Sequence, residues 1–274
     1  MLSGGNNINK VTAFKTGSCS SIEVITKRGG SFKKVHFPSL VFLIEHSSGL
    51  ILFDTGYGDH FFHASQSFPY RLYRMTTPVT YSKTDSIYRQ LKNKGIDPTQ
   101  IKRIILSHFH GDHTGGLLDF PQAKIICSKK GWDDVKNLTG VAAVKKAYLP
   151  DTIPDDFETR TSFIEQTKSV TLSEEYAPFK KGFDLFGDGS IIAVFLEGHA
   201  KGQFGVLIGQ TFLCADAAWS QSAIQTRTLP SKLTKLIIPS WGDYIETFDQ
   251  LTDLYTNNPQ IHIIPSHCTE VGYE

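Results

Sequence analysis

Ser107-His108-Phe109-His110-Gly111-Asp112-His113-Thr114-Gly115-Gly116 gathers three of the chain's ten histidines and a carboxylate into one short stretch. Imidazole is a common ligand for zinc and other borderline metals, and carboxylates complete such sites. The residues ahead of it, 101–106 (I-K-R-I-I-L), are apolar and branched, which suits a buried parallel strand. Where such a strand ends, the two-residue period sends His108 and His110 to the same side. Gly111 then permits a sharp bend. Asp112 and His113 fall in the turn that follows, where they can face a second metal. Gly115 and Gly116 let backbone come close to the site. Histidines at a strand end can be plain surface residues, but a cluster this dense reads first as a ligand set.

Three further donors stand where strand-like runs stop. Gly198-His199 ends the run 191–196, Asp216 follows 211–215, and His267 follows 261–264 by way of Pro265-Ser266. Asp54 ends the run 50–53 in the same way. Loops at strand ends commonly carry active-site groups in layered α/β proteins. Taken singly, each of these residues would be a turn or cap residue. Their recurrence points to one site.

In order along the chain, H-x-H-x-D-H, G-H, D and H resemble the metallo-β-lactamase fold superfamily, from about Val11 to His267. Phe53-Asp54-Thr55-Gly56 is similar to that family's early strand-turn motif. The resemblance implies an α/β fold, a four-layer αββα sandwich, as one hydrolase domain over residues 1–274. It implies a dinuclear centre, with His108, His110 and His199 on one ion and Asp112, His113 and His267 on the other. Asp216 would bridge the two, and Asp54 would orient a ligand imidazole. Zinc is the default metal, and such donors also accept Mn, Fe or Co. A metal-bridging hydroxide would attack an ester carbonyl. Asp112 would be the catalytic carboxylate, orienting that nucleophile and passing a proton to the leaving group.

Within the superfamily the chain is most similar to the N-acyl-homoserine-lactone lactonase branch. The likeness runs through S-H-F-H-G-D-H-T-G-G-L from Ser107, F-D-L-F-G-D-G from Phe183 and G-H-A-K-G-Q from Gly198. A lactone is therefore the first substrate expected. Two positions depart from the pattern. Trp219 stands where those lactonases carry a Tyr three residues after the bridging Asp, and an indole N–H can donate from a bulkier ring. Lys201-Gly202-Gln203 stands where many relatives have Pro-Gly-His. Alternatives on the same fold are a thioester hydrolase of the glyoxalase II type, a phosphodiesterase or ribonuclease, and a mono-iron persulfide dioxygenase. A non-enzymatic metal-binding protein ranks last.

Hydrophobic content of 40% and charged content of 20% describe a soluble globular chain. The formal net charge of +1, with no Lys/Arg run longer than a pair, argues against a nucleic-acid footprint. The N-terminus lacks the pattern of a secretory signal, and no apolar run approaches the roughly 18 residues of a membrane span. Four cysteines without a C-x-x-C pair fit a reduced, cytoplasmic protein. Cys214 and Cys268, beside candidate ligands, read as packing residues. The expected partner is a small ester or lactone, with no nucleic acid or membrane, and the expected state is a monomer or homodimer.

Residues 57–80 are crowded with Phe61, Phe62, Phe68, Tyr70, Leu72 and Tyr73 and show no period. We read them as an aromatic flap, and Phe61, Phe62 and Phe68, with Trp219, as substrate-cleft residues. His60 and His63 read as rim or surface residues. Elsewhere the pattern predicts a strand pair over 11–26 with Gly17-Ser18-Cys19 as its turn or bulge. It predicts helices over 84–94, 129–138, 141–147, 217–223, 231–236 and 244–257, and β-structure over 169–214.

Overall fold

The computed structural model describes residues 7–273 and divides their strands between two sheets in chain order. The first sheet holds β1 (Ile8–Ile22), β2 (Lys34–His46), β3 (Gly49–Phe53), β4 (Val79–Thr80), β5 (Ile101–Ile105), β6 (Lys124–Cys127) and β7 (Thr161–Phe163), in the order β4-β1-β2-β3-β5-β6-β7. The second holds β8 (Lys168–Thr171), β9 (Lys181–Asp184), β10 (Ile192–Phe195), β11 (Phe204–Ile208), β12 (Thr211–Ala215) and β13 (His262–Pro265), in the order β13-β12-β11-β10-β9-β8.

Side-chain alternation explains the layering. On β2, Leu40, Phe42 and Ile44 enter the core between the sheets, where they meet Ala193, Phe204 and Leu213 of the second sheet. Their neighbours Val41 and Leu43 face outward, under Ile87, Leu91 and Phe157. The second sheet repeats the scheme: Val194, Phe212 and Cys214 face out under Phe248, Leu251 and Leu254 of the helix Trp241–Asn257. Both faces of each sheet are covered, so the central strands read as continuous apolar runs. The four-layer αββα expectation holds.

Parallel pairing places the site. β3 pairs with β5, and β12 with β13, both parallel. The C-terminal ends of each pair therefore lie side by side; Asp54, Asp216 and Ser266 follow them directly, and Ser107 follows β5 after Leu106. Two cross-links hold the two sheets together at this edge. The Leu40 amide donates to the Ser266 carbonyl at 2.9 Å, and the Phe204 amide to the Ser107 carbonyl at 3.2 Å.

Some boundaries differ from the sequence reading. Residues 8–22 form one long strand, not a strand pair. Between Lys15↔Leu40 and Ser18↔Pro38 the register slips by one residue, and Gly17 sits at φ +100°. The glycine makes a bulge that bends the strand without reversing it. The helix expected over 217–223 begins only at Gln221, because residues 217–220 turn away from the end of β12. Residues 232–236 form a 3-10 turn. No helix among the described residues is long and apolar enough to cross a membrane.

Candidate metal centre

Every donor of the sequence cluster has a local reason for its place. His110 caps the short helix Gly111–Thr114 in extended conformation, and that turn carries Asp112 and His113 inward. The His113 carbonyl accepts from the Thr55 amide at 2.9 Å and the Thr55 hydroxyl at 2.7 Å. The Ser39 hydroxyl donates to the Asp112 carbonyl at 3.0 Å. Gly115 packs so tightly on the Gly56 carbonyl that a Cβ there would lie 2.7 Å from it. Gly198 precedes His199 at φ +121°, and a Cβ would meet the Tyr244 nitrogen at 2.2 Å. Only glycine fits both the conformation and the contact.

Hydrogen bonds fix which nitrogen faces the cluster for three of its five imidazoles. The Asp54 carboxylate, fully buried, accepts from the Ser107 amide, the Ser107 hydroxyl and His113 Nδ1, each at 2.8 Å. His108 Nδ1 donates to the same Ser107 hydroxyl at 3.0 Å. His267 Nδ1 donates to the Pro38 carbonyl at 2.7 Å. These bonds turn Nε2 of all three rings toward the interior, where it can give a lone pair to a metal once any proton on it has left.

The interior atoms converge. His110 Nδ1 and His199 Nε2 lie 3.1 Å apart. Asp216 Oδ2 lies 3.1 Å from His267 Nε2 and 3.2 Å from His199 Nε2, and its Oδ1 lies 3.4 Å from His113 Nε2. His267 Nε2 is 3.4 Å from Asp112 Oδ2. The donors fall into two sets that share Asp216: His108, His110, His199 and Asp216, and Asp112, His113, Asp216 and His267. His108 Nε2 is buried with no hydrogen-bond partner, and His113 Nε2 and Asp216 Oδ1 face only each other, at 3.4 Å. Buried polar atoms are rarely left so, and a bound cation is one standard reason for it. Nitrogen and carboxylate donors in two four-membered sets suit divalent zinc-like ions.

Electrostatics separate the imidazoles. Burial, then the neighbouring imidazoles, holds His108 and His110 well below the usual histidine range. Burial also pulls on His113 and His267, but nearby carboxylates outweigh it. Asp54 and Asp216 raise His113 well above the usual value, and Asp216 brings His267 to about 9. Burial of Asp216 is in turn outweighed by His267, His113 and His199, which hold its carboxyl well below the usual range. Metal-free protein therefore carries protons on His113 and His267 at neutral pH, and a metal must displace them. Zinc added at pH 7 to chelator-stripped protein is expected to release about two protons per chain. Apparent affinity should rise as pH approaches 9, where His267 loses its proton unaided. Calorimetry in two buffers of different ionisation heat measures this, and no buffer dependence would contradict it.

The cluster opens on a cavity of about 260 Å³. Trp219 lines it, half-buried, with its ring edge-on to His199 at 6.3 Å. Phe61, Phe62 and Phe68 do not line it, contrary to the sequence reading. Phe61 is fully buried against Tyr57, Tyr73 and Leu149, a small core of its own. Phe62 stacks on Tyr81 at 5.0 Å, and Phe68 is 69% exposed. Residues 57–80 fold as two short helices, Asp59–Ala64 and Arg71–Thr76, which turn these rings away from the cavity. From this segment Tyr73, Thr76 and Thr77 reach the cavity instead. Tyr73 donates to Asp112 Oδ1 at 3.1 Å. Phe37, Cys19 and Ile237 also line the wall. Sequence reading placed Tyr73, Thr76 and Thr77 in the flap without a role in the wall and missed Phe37, Cys19 and Ile237, because none of them lies near the motif along the chain. His60 pairs with Asp119 at 3.1 Å, and neither it nor His63 lines the cavity. Cys214 and Cys268 are buried in the two cores of the second sheet.

Comparison with known proteins agrees with this fold. The family described as the metallo-beta-lactamase superfamily matches residues 36–256. The N-acyl homoserine lactonase AttM of Azorhizobium caulinodans is 29% identical over 159 residues, covering 54% of this chain and 53% of its own. The probable metallo-hydrolase Rv2300c of Mycobacterium tuberculosis is 24% identical over 196 residues, covering 68% and 59%. The chain thus spans about half the length of the curated relatives it matches. Among solved structures, an N-acyl homoserine lactone hydrolase with the product N-hexanoyl-L-homoserine at its catalytic metal centre superposes with a TM-score of 0.73. It is 18% identical, and the match covers 96% of this chain and 95% of that one. AidC, a dizinc quorum-quenching lactonase, gives 0.66 at 15% identity, covering 97% and 91%. On the family match, together with the two-sheet fold, the chain belongs to the metallo-β-lactamase superfamily.

Proposed function

We propose that this protein is a dinuclear, zinc-dependent ester hydrolase whose substrate is a lactone. The observation that carries the reading is the pair of four-donor sets sharing Asp216 at the floor of a cavity with an apolar wall. Relatives named as N-acyl homoserine lactonases support the substrate class, as does a fold neighbour that holds a homoserine product. His108, His110, His199 and Asp216 would hold one ion, and Asp112, His113, Asp216 and His267 the other. A divalent pair supplies Lewis acidity and makes water nucleophilic near neutral pH.

The chain's own residues do the remaining work. Asp54 and Ser107 hold His113 and His108 with Nε2 inward. Ile25, Val144 and Ile237 give the apolar part of a substrate a wall. Asp112 faces the cavity and is the group to take a proton and return it to the leaving oxygen. Tyr73 is a positioning residue for it. Burial, then the charge of Asp112, raises the Tyr73 hydroxyl well above its usual pKa, so it stays protonated and donates. The phenol reaches this site from residue 73, while residue 219 is a tryptophan. Tyr73→Phe is expected to lower kcat about tenfold with KM and metal content nearly unchanged, since one hydrogen bond to a charged group is lost. Unchanged kcat would remove Tyr73 from the mechanism.

The reading is tested by proton release from zinc-loaded protein in weak buffer. The panel runs from short to long N-acyl homoserine lactones, with simple γ- and δ-lactones, a thioester and a phosphodiester. Turnover of lactones well above the others supports it. Turnover of the thioester or phosphodiester alone would replace it.

A further inference from the structure

A second cavity adjoins the one above the cluster, beside His267. The first is the one already described, with its apolar wall. The second, of about 360 Å³, shares Thr26, Phe37, Trp219 and His267 with it as a common border. The partition stands against the candidate ligands: Phe37 is edge-on to His267 at 6.5 Å, and Trp219 to His199 at 6.3 Å. The cluster itself opens on the first cavity, and among its donors His267 alone also borders the second, across the Phe37–Trp219 pair.

The second cavity differs in kind from the first. Ser220, Ser222, Thr226, Thr228 and Thr269 set hydroxyls around it, over the rings of Tyr244 and Phe248. Its lining includes one carboxylate, Glu23, which is already engaged by the Ser31 amide at 2.8 Å and the Ser31 hydroxyl at 2.6 Å. Thr226 already donates to the Ser222 carbonyl at 2.7 Å and pairs with Thr228 at 2.8 Å, and Ser220 pairs with Ser222 at 3.1 Å, so what these hydroxyls offer a ligand is chiefly lone pairs that accept from another hydroxyl. Size points the same way. The first cavity alone falls short of the roughly 300–1,000 Å³ usual for small-molecule sites, whereas the two together fall within it.

We infer that the second cavity is a subsite for a hydroxylated arm, so that the substrate is a bipartite ester. Its carbonyl lies at the cluster, its apolar arm in the first cavity and its hydroxyl-bearing arm in the second, with Phe37 and Trp219 dividing the arms. This rests on the ester-hydrolase part of the reading above and adds that the ester, cyclic or open, carries an arm on either side of its carbonyl.

The test compares binding of 1-O-hexylglycerol with that of hexyl methyl ether to zinc-loaded protein by calorimetry, alongside hydrolysis of glycerol monohexanoate and methyl hexanoate. Thr228→Trp and Ser222→Phe fill the second cavity from two different positions. Neither touches the metal cluster, and the Thr228 hydroxyl bonds only to Thr226. Zinc content of each variant reports on folding. The wild type should favour the glyceryl member of both pairs by about tenfold, the scale of one net hydrogen bond between neutral groups. Each variant should lose that preference and keep activity on methyl hexanoate. No preference in the wild type, or a preference surviving in both variants, overturns the inference. A preference in ether binding that the variants lose, without hydrolysis of any ester, would uphold the subsite and overturn the hydrolase reading.

Discussion

Asp216→Ala is expected to cost both metal ions at once. This side chain is the one member common to the two donor sets. Its Oδ2 stands 3.1 Å from His267 and 3.2 Å from His199, and its Oδ1 3.4 Å from His113. Removing any other donor thins one set and leaves the second complete. His110→Ala should therefore drop the zinc content by about one ion, whereas Asp216→Ala should leave less than about one per chain. Metal-assisted hydrolysis draws several kcal/mol from its ions, and each 1.36 kcal/mol is a factor of ten, so turnover should fall by about a thousandfold or more. Metal analysis after dialysis and initial rates on the best lactone measure both. Two ions retained in Asp216→Ala would mean that the sets do not share a bridging carboxylate.

The sequence was most legible where burial is two-sided. Residues 50–53, 101–105 and 211–215 lie in strands covered on both faces, so their apolar runs mark both the strand and the point where it stops. Candidate donors stand past those stops and past the ends of 192–195 and 262–265, which is why the sequence singles out the seven residues whose donor atoms converge. The cavity wall was less legible. Tyr73 meets Asp112 across 39 positions of sequence, and Phe37 meets His267 across the gap between the two sheets. Neither contact leaves a periodic trace. Aromatic content in residues 57–80 was real, but composition does not say which way a ring points. Phe61 and Tyr73 pack edge to face at 5.3 Å, and of the two only Tyr73 reaches the cavity. Gly17 left a turn and a bulge equally open for a related reason. A glycine at positive φ serves a turn and a bulge equally, and only pairing with β2 on both sides of it decides which.

Asp54→Asn should separate orientation of a ligand from ligation itself. Asp54 touches no interior atom of the cluster. It accepts three donors, the Ser107 amide and hydroxyl and His113 Nδ1, and has no exposure to water that could replace it. Its backbone sits at φ +63°, a conformation asparagine tolerates, so the substitution changes the hydrogen bonding and little else. An amide offers one acceptor oxygen where the carboxylate offers two. If the oxygen keeps Ser107, the amide NH₂ faces His113 Nδ1, and the ring must take the tautomer protonated on Nε2. That nitrogen can then no longer bind a metal. If the oxygen keeps His113, the Ser107 amide loses its partner in a buried site, at about 1–3 kcal/mol. The first outcome predicts a loss of about 10–100-fold in affinity for the ion held by Asp112, His113 and His267, the usual effect of removing a ligand's orienting partner. The other set should be spared. The second outcome predicts a Tm lower by several degrees in metal-free protein, at about 2–4 °C per kcal/mol for a chain of this size. Zinc titration and thermal unfolding of the stripped protein distinguish the two. A variant unchanged in both would show that His113 is held by its backbone contacts to Thr55, without need of the carboxylate beneath it.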